Sequence, residues 1–213
     1  YLPKAVPVTE LPDEIPTLTV GMYGKMDFYD IKGVVEHLMI VLGIGDRAEY
    51  TVETELSWMH PGRTASVIID GVNVGYLGEL HPTVAKNYNI GTKVYLAVLN
   101  MEELIKASNM VNVYKPLPKF PAITRDIAML VKEDVTVKQI ADEIRKNGGE
   151  YLEEVKLFDV YQGEQIEKGY KSVAYSISFR SAERTLADAD VADSMQAILD
   201  GLAKELGAQL RDK

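Results

Sequence analysis

Asp159 and Tyr161 alternate along the segment LFDVYQG, and Ser172 lies near the start of the segment that follows, GYKSVAYSISFR. A carboxylate accepts hydrogen bonds from the amino and imino groups of a nucleobase. A hydroxyl donates or accepts, and a phenol ring offers a flat stacking surface. These are the groups needed to hold unstacked bases of single-stranded RNA. Side chains two apart in a strand share a face, so Asp159 and Tyr161 are expected to act on the same side of one sheet.

Other groups invite chemistry and fit it less well. Arg125 and Asp126 are neighbours, so in a strand they point to opposite faces and are expected to serve as a salt link or loop anchor. His60 and His81 each precede a proline and have no cysteine or clustered carboxylates beside them; rigid turns are expected there rather than metal ligation. Gly75 and Gly78 lack the strand–loop–helix context and the GxxxxGK[ST] pattern of a phosphate loop, and are read as a packed turn. Arg63 lacks the later glycine-rich segment with a second arginine that a nucleotide site needs, and is expected to be structural or at an interface. Lys171 starts its strand on the core side by parity and is expected to snorkel to the edge, within reach of phosphate.

The elements that position these residues follow from periodicity. TRDIAMLVK reads as a strand, and TVKQIADEIRKNG as a helix capped by Thr136 and stopped at Gly148. YLEEVKLFDVY and YKSVAYSISFR read as a hairpin, DADVADSMQAILDGLAKELG as a helix, and AQLR as a short last strand. The order βαββαβ is that of a ferredoxin-like fold, with both helices on one face of a four-stranded antiparallel sheet. Alternation sends Ile127, Met129, Val131, Phe158, Val160, Val173, Tyr175, Ile177 and Phe179 under the helices. The opposite face collects Ala128, Asp159, Tyr161, Ser172, Ser176 and Arg180. A solvated antiparallel face needs no function. A wet face usually carries Lys, Glu and Thr, however, whereas this one is mostly small side chains around a single tyrosine, which leaves room for a flat ligand.

The first half reads as antiparallel strands with short helices. TLTVGMYG is a strand; DFYDIKGVVEHLMIVLGIG is a helix with Asp30 as N-cap and Ile31, Val34, Val35, Leu38 and Leu42 on one face; ASVIIDGVNVGYLGEL is a hairpin about Asp70–Gly71. A short helix in HPTVAKNYNIG, a strand in KVYLAVLNM and a helical turn or two in MEELIKAS complete it. Three prolines in NVYKPLPKFPAI disfavour helix and internal strand, which places a boundary near Pro116. The expected architecture is therefore α+β, with domains 1–115 and 116–213.

Composition sets limits. A net charge of −9, shared by both halves, argues against a non-specific electrostatic grip on nucleic acid, so any such contact must be local. The absence of cysteine excludes disulfides, thiolate zinc sites and cysteine nucleophiles and fits a reducing compartment. No run approaches the ~20 apolar residues of a membrane helix. The start, YLPKAVPVTE, is not a signal peptide, and without an initiator Met the chain reads as a piece of something longer.

Four segments, FPAITRDIAMLV, LFDVYQG, GYKSVAYSISFR and RTLADADV, resemble the ferredoxin-fold anticodon-binding domain at the C-terminus of bacterial phenylalanyl-tRNA synthetase beta subunits. WMHPGRTASVIIDGVNVGYLGELHP is similar to part of the catalytic-like domain of the same subunits. The resemblance implies a first domain with a class II synthetase-like fold that lacks the chemistry and packs on an alpha subunit. It implies a second domain that binds the tRNA anticodon, within a cytoplasmic α2β2 enzyme that uses ATP and magnesium to join phenylalanine to its tRNA. This chain alone would be non-catalytic, with no cofactor or metal of its own and with neither membrane nor DNA as a partner. Carried over, Tyr161 stacks on an anticodon base, Asp159 and Ser172 bond base edges, and Ala128 lies beneath; Arg180 is added here as a phosphate or base contact. Two other classes remain: a small-molecule-sensing ferredoxin-like regulatory domain, and an independent enzyme in the first half.

Overall fold

A computed structural model describes residues 9–111, 113–114, 116–163 and 165–210. The chain divides into two compact units, 1–114 and 115–213.

The first unit is a five-stranded antiparallel sheet. Its strands are β1 (Thr17–Tyr23), β2 (Ala48–Val52), β3 (Met59–Ile69), β4 (Val72–Leu80) and β5 (Val94–Asn100), in the order β1-β5-β4-β3-β2. Helices α1 (Phe28–Val41), α2 (Pro82–Asn87) and α3 (Met101–Ala107) complete it. The N-cap of α1 is Asp27, not Asp30: the Asp27 carboxylate accepts from the backbone of Tyr29 and Asp30, and the Asp30 carboxylate accepts in return from the Asp27 N–H, forming a capping box. The buried stripe is Ile31, Val35 and Met39, packed with Val67, Val74, Leu77, Ala97 and Leu99. Val34 turns outward at 42% exposure. Strand β2, which the sequence reading does not anticipate, closes the sheet edge by pairing with β3.

The β3–β4 hairpin turns at Asp70–Gly71, both at positive φ (49° and 81°), as a two-residue hairpin loop requires. Arg47 grips the Asp70 carboxylate and donates to the Ala107 carbonyl, and this holds the Asp70 acid below its ordinary range. Gly75 and Gly78 are not in a turn. Both lie within β4, where a Cβ on Gly78 would fall 2.3 Å from the Arg63 carbonyl oxygen; glycine is what allows the strands to approach so closely.

The second unit has the order β6 (Ile123–Lys132), α4 (Val137–Asn147), β7 (Leu152–Tyr161), β8 (Tyr170–Phe179), α5 (Asp188–Leu206) and β9 (Gln209–Leu210). The sheet order is β7-β8-β6-β9, with antiparallel pairing throughout, the split βαβ arrangement. Thr136 caps α4 in a capping box with Gln139. Ile140 and Ile144 of α4 and Val191, Ile198 and Leu202 of α5 pack on Ile127, Met129, Val131, Val173, Tyr175, Ile177 and Phe179. Both helices therefore cover one face. Tyr175 is 2% exposed and donates from its hydroxyl to the Val137 carbonyl at 2.6 Å, so the polar tip of a core ring is paired. No helix among the described residues is long and apolar enough to cross a membrane.

Candidate nucleic-acid interface

Register places the outward residues of the second unit in rows across three strands. Asp159 of β7 stands opposite Ala174 of β8, which stands opposite Ala128 of β6. The next row is Tyr161–Ser172–Leu130, and on the other side of the Asp159 row lies Lys156–Ser176–Asp126. Directly opposed side chains have Cβ atoms about 4.5–5.5 Å apart, and successive rows on one face are about 7 Å apart. Ala128, Asp159, Tyr161 and Ser172 thus form one contiguous cluster on the face opposite the helices. None of its members belongs to the hydrophobic core.

The side chains differ in what they offer. Tyr161 is 40% exposed, and among the described residues no aromatic ring packs on it: the two ring–ring contacts are Phe28–Tyr29 and Trp58–Tyr76, both in the first unit. Asp159 is exposed, and no described residue donates a hydrogen bond to its carboxylate. Ser172 is only 6% exposed. Tyr161 and Leu130 flank it on the adjacent strands and wall it in, so it lies at the floor of the cluster rather than standing free. Its hydroxyl has no protein partner among the described residues and is not sealed from solvent, which leaves it able to bond a group entering from above. Ala128 and Ala174, with their single methyls, keep the centre of the platform low.

A bulge shapes the β7 side. Leu157 pairs with Tyr175 and Asp159 with Ala174, so Phe158 is an extra, unopposed residue. Leu157 therefore shares the parity of buried Tyr175 rather than that of Asp159. Phe158 and Val160, expected under the helices, are 55% and 47% exposed; β7 is the edge strand, and neither residue belongs to the core beneath the helices. The bulge also carries Lys156 onto the platform face beside Asp159, a placement that strict alternation conceals.

Arg180 does not join the cluster. It lies beyond the opposite end of β8 from Ser172, roughly 26 Å away at about 3.3 Å per residue. Its Nε donates to both Glu153 carboxylate oxygens at 2.8 and 2.9 Å, and its Nη1 donates to the Phe120 carbonyl. A guanidinium so committed anchors the entry to β6, in place of the phosphate or base contact expected of it. Lys171 donates to the Glu133 carbonyl at 2.9 Å, a local tie at the strand end. Arg125 bonds Asp188 in the first turn of α5, the salt link expected of it. In the first unit the two His-Pro steps are not the rigid turns expected: His60 Nδ1 accepts from the Gly62 N–H within β3, where the register with β4 shifts between Met59 and Thr64, and His81 Nδ1 accepts from the Thr83 N–H as the N-cap of α2. Arg63 pairs with the 4%-exposed Glu79 at 2.8 Å, and Glu79 also accepts from the Tyr95 hydroxyl.

The face, the βαββαβ order and the sheet topology define a class: residues 118–211 match the ferredoxin-fold anticodon binding domain. Residues 1–101 match the phenylalanyl tRNA synthetase beta chain CLM domain. The chain is 48% identical over 201 residues to the phenylalanine–tRNA ligase beta subunit of Clostridium tetani, covering 94% of this chain and 25% of that protein. It is 42% identical over 202 residues to the same subunit of Clostridium acetobutylicum, covering 95% and 25%. Identity to the subunit of Symbiobacterium thermophilum is 41% over 215 residues, covering 95% and 24%. The chain belongs to the phenylalanyl-tRNA synthetase beta-subunit family and spans about a quarter of the length of these curated relatives. These matches favour the RNA-binding expectation over the small-molecule-sensing one.

Proposed function

We propose that the second unit binds the anticodon region of tRNA on the face carrying Ala128, Asp159, Tyr161 and Ser172, and that the first unit serves as a non-catalytic scaffold for an alpha subunit. The observation that carries this reading is the contiguous row pair Asp159–Ala174–Ala128 and Tyr161–Ser172–Leu130, placed opposite the helices. A base stacks on the Tyr161 ring while its edge meets the Asp159 carboxylate and the Ser172 hydroxyl; the low alanine floor admits the flat ring. Lys156 adds a cation next to the acidic acceptor. On a chain of net charge −9 the grip is local and specific rather than a broad electrostatic one.

In this reading the chain supports the ATP-dependent attachment of phenylalanine to its tRNA in the cytoplasm without carrying out the chemistry. ATP and magnesium are not placed on the first unit in this reading, where the Arg63 guanidinium is already paired with Glu79. Those ligands are assigned to the alpha subunit.

Titration of a fluorescently labelled phenylalanine-tRNA anticodon stem-loop tests the reading. Binding by the 213-residue chain in the micromolar range or weaker, and its loss in Tyr161→Ala, supports it; equal affinity of wild type and variant contradicts it.

A further inference from the structure

Gly163 lies two residues beyond Tyr161, at the start of the β7–β8 loop. Its φ is outside the left-handed region, so the backbone there would accept any L-residue. What requires glycine is space. A Cβ on Gly163 would sit 2.3 Å from the Tyr161 hydroxyl oxygen, 2.6 Å from Cζ and 3.2 Å from Cε1. The hydroxyl end and one edge of the ring therefore rest directly on the Gly163 Cα. That backbone is itself anchored, because the Gly163 carbonyl accepts from the Ile166 N–H at 2.9 Å in a tight turn. The ring is thus referenced to a turn rather than left to swing on χ1 and χ2.

We infer that Gly163 is a positioning residue: its missing side chain is the seat that fixes the Tyr161 ring for stacking on a nucleobase. This rests on the anticodon-binding reading and adds to it a determinant that makes no contact with the RNA. The physical case is preorganisation. A surface aromatic that must be ordered on binding spends part of its stacking energy on lost rotamer freedom, whereas a seated ring does not. Any side chain at 163 evicts the ring. Eviction costs the fold little, because the displaced group is the far end of a side chain that is 40% exposed, and the core of this unit does not include it.

The test is a double-variant cycle in the 213-residue chain, with a phenylalanine-tRNA anticodon stem-loop as probe and thermal unfolding as the control for folding. Gly163→Ala is expected to keep the melting temperature of the wild type and to lose affinity by several-fold, up to the roughly 5- to 150-fold that removal of one stacking contact represents. In a Tyr161→Ala background the same change is expected to add nothing, because no ring remains to be seated. A Tyr161→Ala loss with wild-type affinity in Gly163→Ala overturns the seat while leaving the anticodon reading in place, and so do losses that add in the double variant. An unchanged affinity in Tyr161→Ala overturns both. Should Gly163→Ala fold poorly, the comparison of Tyr161→Ala with the double variant still decides, since a purely structural glycine would destabilise that background equally.

Discussion

Lys156 and Asp159 face the same side of the sheet although three positions separate them, because Phe158 is an extra residue opposite no partner on β8. A carboxylate and a lysine cation thereby become neighbours on one edge strand. The bulge accomplishes what alternation alone forbids, which is why such irregularities recur beside functional surfaces.

That juxtaposition makes a salt-dependence prediction. Lys156→Ala should weaken stem-loop binding modestly and lower the slope of log affinity against log salt by ~0.7, the value for one contact to a single-stranded phosphate. Titrations across a range of potassium chloride concentrations measure it. A slope identical to wild type would remove Lys156 from the interface.

The Asp159 carboxylate has no donor among the described residues, so replacing it should not disturb the fold. Asp159→Asn retains size and one acceptor while introducing an amide donor. It is expected to keep the wild-type melting temperature and to change preference among stem-loops with different anticodon bases, by roughly 1–3 kcal/mol for a bidentate contact. A panel of labelled stem-loops reads this out; uniform affinities across the panel in both proteins would count against base-edge recognition by Asp159.

Arg180 should behave oppositely. Because its guanidinium ties Glu153 to the Phe120 carbonyl, Arg180→Ala is expected to destabilise the second unit by about 1–2 kcal/mol without altering stem-loop affinity at temperatures where the protein is folded. Urea unfolding combined with the binding assay separates the two effects.

Alkaline stability should report on Tyr175. Burial pushes its phenol up to about 12, above the usual value near 10. The ring stays neutral in the folded chain while the unfolded chain ionises. Its contribution is therefore fully present below pH ~10 and is lost as pH rises from there through about 12. Tyr175→Phe should flatten that part of the stability–pH curve, at the cost of the hydrogen bond to the Val137 carbonyl. Denaturant midpoints between pH 9 and 12 are the measurement.

Much of this architecture is legible in the sequence, for reasons that individual residues make plain. Thr136 with Gln139 three residues on is a local capping signal, and local signals suffice to place α4. The alternation Val173, Tyr175, Ile177, Phe179 against Ser172, Ala174, Ser176, Ser178 assigns the two faces of β8 without any tertiary information. Asp159 and Tyr161 fall on the correct face because both lie on the same side of the bulge. What escapes is whatever depends on a distant partner or on a change of period. No residue type announces that Phe158 is unopposed, and strict alternation would put Leu157 beside Asp159 and turn Lys156 away from it, the reverse of the register observed. Arg180 has outward parity, and only the fold brings Glu153 and Phe120 to it. Asp27 and Asp30 are both suitable caps; the reciprocal bonds that rank them appear once the first turn is built. Ser172 is flanked by Tyr161 and Leu130 on the two adjacent strands, neighbours that meet it only once the sheet is assembled.

The most direct test of the RNA-binding face is to follow backbone amide shifts while an anticodon stem-loop is titrated into the 213-residue chain. The account predicts saturable perturbations centred on Ala128, Asp159, Tyr161, Ser172 and Ala174, with α4 and α5 quiet. Perturbations confined to the two helices, or a silent sheet face at saturating RNA, would contradict it.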